Sequence, residues 1–267
     1  MLKKGKVPFF EEGLEEILQN NLTNDRISFT SDLTSALEDI STVIIAVGTP
    51  SLPDGRVDLS QVNDVAQEIA RNAKNELIVV MKSTVPPGTG NSLCKRFFDK
   101  SGVKIHYISN PEFLREGTSV WDWYNTDRII IGCNDEEIGR KFAEIYSDIR
   151  SPIVFMDVVS AEMVKYASNA FLATKISFIN EIANLCELVG ANIDKVAPAI
   201  GMDSRIGSHF LKSGLGYGGS CFPKETEGLD YISSFNGYRF GVLKAVIEVN
   251  ARQKMIAIRK IQKVWVI

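Results

Sequence analysis

The sequence predicts an α/β protein, in which an incomplete, doubly wound parallel sheet is followed by an all-helical region. Short β-branched runs alternate with helical patterns as far as about residue 155, which is typical of βαβ units. Beyond Asp157 the apolar residues recur at helical spacing, over one long segment and several shorter ones. We therefore expect one domain over residues 1–156, a helical domain over 157–262 and a short end over 263–267.

The composition excludes several classes of protein. With 45% hydrophobic residues the chain can bury a core, and its longest apolar runs are too short to span a bilayer. A net charge of −3 with interspersed signs predicts no nucleic-acid or membrane partner. The amino end shows no apolar signal-peptide segment, so we expect a cytoplasmic protein. Four widely spaced cysteines without a CxxC pair favour neither a disulfide framework nor a metal site.

Four strands are predicted in the first domain, at residues 42–47, 77–81, 104–108 and 128–132, where β-branched residues cluster. Helices are predicted between them at 59–69 and 138–146, where apolar residues repeat every three or four positions. Residues 1–18 indicate a loop and one helix without a preceding strand, and the last helical pattern stops without a capping signal. We therefore expect the first βαβ unit to be missing and the chain to be cut at both ends.

A helix of about 30 residues, long for a globular protein, is predicted to begin the second domain. Gly190 lies near its expected end, and further helices are expected at 194–200, 226–234 and 240–261. Because of its length, we expect the long helix to link the two domains and to offer a face to a partner subunit in a homodimer. Its apolar face is predicted to consist of Met163, Tyr166, Ala170, Thr174, Phe178, Ile182 and Leu185.

The strongest local signal for chemistry is the glycine-rich segment GLGYGGSCFPK at residues 214–224. Its glycines allow the backbone to approach a ligand closely, and they place Cys221 near Lys224. A positive neighbour and backbone donors stabilise a thiolate, so Cys221 is a candidate nucleophile. The alternative is a flexible loop that contains an incidental buried cysteine.

A second cluster, NPEFLREG at residues 110–117, follows a predicted strand. Asn110 as N-cap and Pro111 at the first helical position predict a short helix that places Glu112 and Glu116 on one face. Two carboxylates at the carboxyl end of a parallel strand suit general acid/base catalysis. The alternative is that acidic residues simply favour the first turn of a helix.

Two weaker signals lie elsewhere. Lys165 and Asn169, four residues apart on the long helix, could hold an oxyanion, although lysines on such helices are usually only solvated. The loops at 47–50 and 83–88 each follow a predicted strand, where open α/β sheets bind ligands. Their small hydroxyl and glycine residues suit a cofactor, and they suit ordinary turns equally well.

The segments VGTP, STVPPGT, NPEFLREG, KYASN, RIG and GYGGSCFPK occur in an order and spacing that resemble the UDP-glucose/GDP-mannose dehydrogenase family, from about Gly5 to Arg252. The resemblance implies that residues 1–156 are the remainder of a Rossmann-like NAD-binding domain, and that a helical central dimerisation domain follows. It implies an oxidoreductase of polysaccharide biosynthesis that oxidises the C6 alcohol of a sugar nucleotide to a carboxylate. Two NAD would be used, with cysteine-bound thiohemiacetal and thioester intermediates.

The resemblance also implies roles for individual residues. Cys221 would be the nucleophile, Thr84, Glu112 and Lys165 would manage water and protons, and Asn169 would support the oxyanion. The residues implied to face the nicotinamide cofactor are Thr49, Thr84, Glu116 and Lys224. Those implied to line the sugar-nucleotide site are Glu112, Phe113, Leu114, Arg115, Glu116, Lys165, Asn169, Phe210, Leu211, Lys212, Ser213, Gly214 and Gly218, with Arg205 reaching the substrate of a neighbouring subunit.

The loop around Cys221 favours UDP-glucose as the substrate within this family. Relatives that act on UDP-N-acetylmannosamine tend to carry histidine before the cysteine, and GDP-mannose relatives a different glycine arrangement, whereas this chain has Ser220. One catalytic position departs from the family, since Glu225 replaces an aspartate four residues after the cysteine. The added methylene moves the carboxylate by about 1.5 Å, which is expected to slow catalysis roughly a hundredfold.

Three alternatives stay open at the level of sequence. The chain could be an inactive remnant that associates only through its long helix, or a dehydrogenase of UDP-N-acetylmannosamine or GDP-mannose. It could also be a thiol-dependent acyl-transfer or hydrolytic enzyme that uses no NAD, although neither His106 nor His209 shows an obvious pairing with Cys221.

Overall fold

A five-stranded sheet organises the first part of the chain in the computed structural model, which describes residues 1–265. The strands lie in the order β1-β2-β3-β4-β5. Four of them were predicted, β2 with its observed bounds and the others with bounds that shift by one or two residues, and the fold class is confirmed. The strands are β1 Thr42–Ile45, β2 Leu77–Met81, β3 Ile105–Ser109, β4 Ile129–Cys133 and β5 Ile153–Met156.

The sheet is mixed, which corrects the prediction of a wholly parallel sheet. Three of the strand pairs are parallel, but β3 and β4 pair antiparallel through Ile108 with Cys133 and Ser109 with Gly132. For two neighbouring strands to be parallel, the connection must cross over and return the chain to the end of the sheet at which the first strand began. The segment between β3 and β4 forms an irregular loop and one short helix instead, so β4 begins beside the carboxyl end of β3.

Helices and 3₁₀ turns connect the strands. β2 shows why both faces of the sheet are covered, because Leu77 and Val79 belong to one buried cluster while Ile78 and Val80 belong to another. The helices of this part are α1 Leu14–Thr23, α2 Leu33–Ala36, α3 Ser60–Asn72, α4 Thr89–Arg96, α5 Ser119–Tyr124 and α6 Glu136–Ala143. The 3₁₀ helices are Leu2–Lys4, Phe98–Lys100 and Glu144–Tyr146.

The regular elements in the rest of the described chain are all helices, as expected, and residues 202–221 form a loop between two of them. The helices are α7 Val158–Val189, α8 Ile193–Gly201, α9 Phe222–Phe235 and α10 Gly241–Trp265. No helix within residues 1–265 has both the length and the apolar content needed to cross a bilayer. The end predicted at 263–267 includes Val266 and Ile267, which lie outside the described residues.

The predicted apolar face of α7 is wrong in part. Tyr166 and Ala170 are buried, but Phe178 and Leu185 are about half exposed, at 54% and 53%. The side chains that α7 buries further along are Ala173, Ser177, Ile179, Asn180, Ala183 and Cys186, most of them small or polar. Several large apolar side chains line a second, exposed stripe, which consists of Phe171, Phe178, Leu185, Leu188 and Val189.

The chain divides into two compact units. The first unit comprises residues 1–49 and 59–165, and the second comprises residues 50–58 and the chain from Tyr166 onward. In the second unit Tyr166 of α7 packs with Leu229 of α9 and Leu243 of α10, and Ala173 packs with Tyr217 and Val246. The domain limits expected at residues 156/157 and 262/263 stay a proposal.

Candidate active site

Glu112 and Lys165 form an ion pair within the first unit. Lys165 Nζ lies 2.9 Å from Glu112 Oε1, and the lysine side chain is only 5% exposed. The other oxygen, Oε2, accepts a hydrogen bond of 2.6 Å from Leu114 N, which fixes the carboxylate above its own loop. Lys165 is therefore a buried, paired cation, and the alternative of an ordinary solvated lysine does not hold.

The short helix predicted from Asn110 does not form. Residues 111–115 have no regular secondary structure, and the next helix, α5, begins only at Ser119. Asn110 is fully buried and its side chain serves other bonds: Nδ2 donates to Ile130 O at 2.7 Å, and Oδ1 accepts from Lys82 Nζ at 2.8 Å. Because these bonds use the amide, it does not cap a helix, and Glu112 is presented from a loop.

Aromatic and acidic contacts hold the rest of this loop. Arg128 lies 4.1 Å from the Phe113 ring centroid, and Lys165 Nζ lies 5.4 Å from it. The Arg115 guanidinium pairs with Asp122 of α5 at 2.5 Å, and this pairing holds the pKa of Asp122 below its usual value. Leu114 is half-buried and Glu116 is exposed. Because residues 112–116 form no helix, the prediction that Glu112 and Glu116 share one helical face is wrong.

Glu11 closes the far end of the same loop and was missed by the sequence analysis. Its carboxylate accepts from Gly117 N at 2.8 Å and from Ser119 N at 3.1 Å, across more than a hundred residues of chain. These backbone bonds lower the pKa of Glu11, so the group is held ionised at neutral pH. No pattern in the local sequence predicts a contact between residues so far apart in the chain.

Thr49 and Thr84 meet where β1 and β2 end. Thr49 Oγ1 donates to Thr84 O at 3.0 Å, and both side chains are buried. Ser83 Oγ donates to Val47 O at 2.7 Å and so joins the two loops a second time. The two predicted cofactor loops are therefore one structure at the carboxyl edge of the sheet, where open α/β sheets bind ligands.

Glu162 is a buried acid that sequence analysis also missed. It lies one turn before Lys165 on α7 and is 3% exposed. Its two oxygens accept from Gly88 N at 2.6 Å and Gly90 N at 2.8 Å, at the amino end of α4. Burial outweighs these bonds and raises the pKa of Glu162 to about 7.

In the second unit, Cys221 is exposed and precedes the first residue of α9. The thiol therefore lies at the amino end of a helix, where solvent and a substrate can reach it. Ser220 Oγ lies 3.6 Å from the sulfur, and the half-buried Lys224 follows within the first turn. The alternative of an incidental buried cysteine is therefore wrong for Cys221.

Glu225 lies one helical turn after Cys221 and is buried, at 1% exposure. Its Oε2 accepts a hydrogen bond of 2.6 Å from Asn169 Nδ2. This contact brings together two residues that the family resemblance implied for separate tasks. Lys165 and Asn169, expected as a pair, each contact a different carboxylate.

Buried amides anchor the glycine-rich loop, and none of them was predicted. Asn180 Oδ1 accepts from Gly214 N at 2.7 Å. Asn250 bonds Tyr217 twice, accepting from its N–H at 2.8 Å and donating to its carbonyl at 3.1 Å. Gly216 lies between the anchored residues Gly214 and Tyr217 and has φ +97°. A Cβ there would lie 2.2 Å from Asn250 Oδ1, so this position requires glycine.

The predicted substrate stretch begins in a strained conformation. Phe210 has φ 64°, a left-handed value that is unusual for an aromatic residue, and its ring meets that of Phe222 edge-on at 6.3 Å. Leu211 is buried. The remaining predicted residues are at least partly accessible, namely Lys212, Ser213, Gly214 and Gly218. Arg205 is exposed and pairs with Asp203 at 2.6 Å.

Each unit therefore carries its own set of predicted residues. The first unit holds Thr49, Thr84 and the Glu112–Lys165 pair, and the second holds Cys221 and the Asn169–Glu225 pair. Among residues 1–265, no group of three or more His, Cys, Asp or Glu side chains is arranged to hold a metal ion.

Comparison with known proteins gives matches over nearly the whole chain. Residues 1–150 match the family model described as UDP-glucose/GDP-mannose dehydrogenase family, NAD binding domain, and residues 159–252 match its central domain. UDP-glucose 6-dehydrogenase YwqF of Bacillus subtilis is 47% identical over 97% of this chain and 59% of its own length. UDP-glucose 6-dehydrogenase of Rhizobium meliloti is 45% identical over 97% of this chain and 61% of its own.

Solved structures give the same result. The UDP-glucose dehydrogenase of the archaeon Pyrobaculum islandicum matches with a TM-score of 0.95 and 40% identity, over 99% of this chain and 62% of its own. A GDP-mannose dehydrogenase of Pseudomonas aeruginosa matches with a TM-score of 0.74 and 35% identity, over 94% of this chain and 60% of its own. The chain thus spans about three fifths of the length of the relatives it matches.

Proposed function

The chain belongs to the UDP-glucose/GDP-mannose dehydrogenase family, and we propose that the whole protein oxidises UDP-glucose to UDP-glucuronate with two NAD. The observation that carries the proposal is the exposed Cys221 at the amino end of α9, one turn from the buried Asn169–Glu225 pair. A dehydrogenase that stops at an aldehyde needs no nucleophilic thiol, whereas a thiol gives oxidation to an acid a covalent route through a thiohemiacetal and a thioester.

NAD is the cofactor of the matched domain, and the loops after β1 and β2 suit it. Gly48 has only the Gln61 amide near the position of a Cβ, at 3.7 Å, and Gly88 has nothing within 4 Å, so a ligand can approach this backbone closely. Thr49, Thr84, Glu116 and Lys224 would hold the cofactor. Bound NAD supplies a hydride acceptor for each of the two oxidations.

Cys221 would form the covalent bond to the sugar. Its thiolate attacks C6 after the first oxidation has produced an aldehyde, and the carbonyl oxygen takes a proton to give a thiohemiacetal. The second oxidation converts this species to a thioester. Water then adds to the thioester carbonyl, the C–S bond breaks, and the carboxylate and the free thiol are released. Two hydrides leave the sugar in all, which balances the four electrons between an alcohol and an acid.

The two carboxylate pairs would handle protons and oxyanion charge. Lys165 pairs with one oxygen of Glu112 and the N–H of Leu114 donates to the other, so the carboxylate is held in a fixed position. From there it would act as a general base, with Thr84 as a further proton carrier. Asn169 donates to Glu225 and would stabilise the oxygen of the tetrahedral intermediates. Glu225 makes this bond at 2.6 Å with its longer side chain, which supports a working role for glutamate at a position where the family has aspartate.

The family resemblance implies sugar-nucleotide contacts on two loops, and we propose them for each unit by itself. They are Phe113, Leu114 and Arg115 in the first unit and residues 210–218 in the second. The anchored backbone around Gly214 supports this role, because a loop fixed by Asn180 binds without a large ordering cost. Arg205, exposed and held by Asp203, would reach the substrate of a neighbouring subunit.

The exposed stripe of α7 supports a homodimer. Phe171, Phe178 and Leu185 recur every seven residues and are 66%, 54% and 53% exposed. Monomeric soluble proteins rarely expose such a continuous apolar patch, so a second copy of α7 is the proposed partner. In sedimentation experiments Phe178→Ser should shift this chain from dimer to monomer. A wild-type chain that sediments as a monomer would contradict the interface.

The substrate proposal is tested in a chimera in which this chain replaces the matching segment of YwqF. NADH formation is followed by absorbance with UDP-glucose, UDP-N-acetylmannosamine and GDP-mannose. We expect turnover with UDP-glucose alone. Turnover with one of the other sugars and none with UDP-glucose would contradict the substrate assignment, and a folded chimera that reduces NAD with none of them would contradict the enzyme.

The thiol proposal is tested on this chain directly with a chromogenic disulfide reagent. Exposed Cys221 should react first, and Cys221→Ser should remove that fast phase. Cys94→Ser is the matched control, because burial raises the pKa of the Cys94 thiol to about 11 and keeps it unreactive. A fast phase that survives Cys221→Ser would contradict the assignment of the nucleophile.

A further inference from the structure

A small cavity of about 30 Å³ lies behind the loop that presents Glu112. Lys82, the residue after β2, lies partly buried in its wall together with Asn110, Trp123, Arg128 and Tyr146. Neither the family motifs nor the proposed mechanism gives Lys82 a task. A cation in such a place needs an explanation, because burying a charge is unfavourable.

Lys82 lies at the centre of a hydrogen-bonded network. Its Nζ donates to Asn110 Oδ1 at 2.8 Å and to Tyr146 OH at 3.1 Å. Tyr146 OH in turn donates to the same Asn110 oxygen at 2.5 Å, and the other end of the amide donates to Ile130 O. Asn110 immediately precedes the loop of Glu112, so this network fixes where that loop begins.

The charge of Lys82 is not neutralised by a direct partner. Among the described residues its hydrogen-bond partners, Asn110 and Tyr146, are both neutral, and its ammonium lies 5.4 Å from the Trp123 ring centroid and 5.7 Å from that of Tyr146. Aromatic faces attract a cation without supplying a full negative charge. The charge of Lys82 therefore acts on the neighbouring charged groups, Glu112 and Lys165.

We propose that Lys82 is a positioning residue of the active site, which anchors the Glu112 loop through Asn110 and Tyr146 and which shares its charge with the Glu112–Lys165 pair. The proposal rests on the proposed function for the roles of Glu112 and Lys165. It adds a third charged group to the pair, because Lys82 and Glu112 line the same cavity.

The titration of Lys82 is consistent with this coupling. Loss of hydration lowers the pKa of Lys82 to about 8, while the charge of Glu112 raises it and that of Lys165 lowers it. The charged groups that face it are Glu112 from the loop after β3, Lys165 from α7 and Arg128 before β4, with the hydroxyl of Tyr146 beside them. Lys82 is therefore charged at neutral pH and loses its proton as the pH rises through about 8.

The first test needs no enzyme activity. The lysine ε-carbons of this chain are labelled with ¹³C and titrated by NMR, and the Lys82 resonance is the one absent from Lys82→Met. We expect a midpoint near 8, about two units below that of an ordinary lysine. Removing the opposite charge with Glu112→Gln should lower this midpoint by roughly one unit, and Lys165→Met should raise it.

Glu116→Gln is the matched control for this titration. Glu116 lies on the same loop but is exposed, so its removal should leave the midpoint of Lys82 unchanged. A midpoint above about 10, or one that neither Glu112→Gln nor Lys165→Met moves, would overturn the coupling. This outcome does not depend on what the protein catalyses.

The second test uses the YwqF chimera and separates positioning from stability. Lys82→Met should lower kcat with UDP-glucose about tenfold or more without lowering the melting temperature, and Lys82→Arg, which keeps the charge, should recover part of the loss. Tyr146→Phe, which keeps the ring and removes the hydroxyl, should lower kcat in the same direction. Equal kcat in wild type and Lys82→Met, or a loss of kcat matched by a loss of folding, would overturn the positioning role.

The two tests fail independently. If the chimera oxidises no nucleotide sugar, the proposed function is wrong, while the NMR titration still decides whether Lys82 is coupled to Glu112 and Lys165. If the chimera is active and the titration shows no coupling, the function stands and the inference about Lys82 is wrong.

Discussion

Replacing Glu162 by glutamine should remove a pH dependence of stability that the buried acid imposes on the first unit. Burial raises the pKa of Glu162 from 4.5 to about 7, against the effect of the bonds from Gly88 N and Gly90 N. A rise of this size corresponds to about 3 kcal/mol of free energy between the two protonation states. The buried, ionised carboxylate is the unfavourable form.

The sign follows from the proton count. Between about pH 4.5 and 7 the unfolded chain has released the proton of Glu162 while the folded chain keeps it, so the free energy of unfolding falls as the pH rises. The loss is complete above about pH 7 and absent well below pH 4.5. Glu162→Gln carries no titratable group there, and its stability lacks this slope.

The assay is urea unfolding of wild type and Glu162→Gln at pH 4.5 and pH 8, followed by tryptophan fluorescence. In the variant, the NH₂ group of glutamine faces one of the two backbone donors and loses that hydrogen bond. This loss lowers the free energy of unfolding by the same amount at both pH values. The difference in unfolding free energy should therefore shift by about 3 kcal/mol in favour of the variant between pH 4.5 and pH 8. Glu137→Gln, on the exposed side of α6, is the control and should show no shift. If the difference in unfolding free energy between wild type and Glu162→Gln is the same at both pH values, the buried Glu162 does not impose this pH dependence.

Two glycine substitutions test the packing around the site. Gly90→Ala would place a Cβ 2.3 Å from Tyr107 Cε1, so we expect a loss of about 1–3 kcal/mol in thermal or urea unfolding, whereas Gly102→Ala, with open space around it, should change little. A Gly90→Ala chain as stable as wild type would contradict this contact. Gly216→Ala should push the glycine-rich loop away from Asn250 and slow NADH formation in the chimera by about a hundredfold. Unchanged turnover would mean that the loop geometry is not needed.

Strand positions could be predicted from the sequence where a run of apolar residues marks a buried strand. β2 was predicted with its observed bounds, because five successive apolar residues are buried on both faces of the sheet. β5, Ile153–Met156, was missed because its four residues run almost directly into α7 and offer no turn signal. The direction of β4 depends on how the chain before it folds, and no periodicity encodes that.

Local helix signals failed where tertiary bonds compete for the same side chain. Asn110-Pro111 is a good helix start by sequence, yet the amide of Asn110 is used by Lys82, Tyr146 and Ile130. On α7 the helical spacing gave the right element and the wrong face. Both of its faces carry apolar residues, and only packing decides which one is covered.

The candidate site divides in the same way. Motifs gave Cys221, Glu112 and Lys165, because each lies in a segment whose residue types suit the chemistry. The groups that hold these segments were missed, such as Glu162 for the loop after β2 and Asn250 for the glycine-rich loop. Their partners lie 72 and 33 residues away in sequence, so only the folded chain brings them together.

In the proposed mechanism, Cys221 carries the sugar through its oxidation to an acid. The most direct test counts the NADH formed per UDP-glucose consumed by the YwqF chimera, with wild-type sequence and with Cys221→Ser. We expect two NADH per sugar for wild type, and loss of overall NAD reduction in Cys221→Ser with UDP-glucose binding retained. Two NADH per sugar at an undiminished rate in Cys221→Ser would contradict this mechanism.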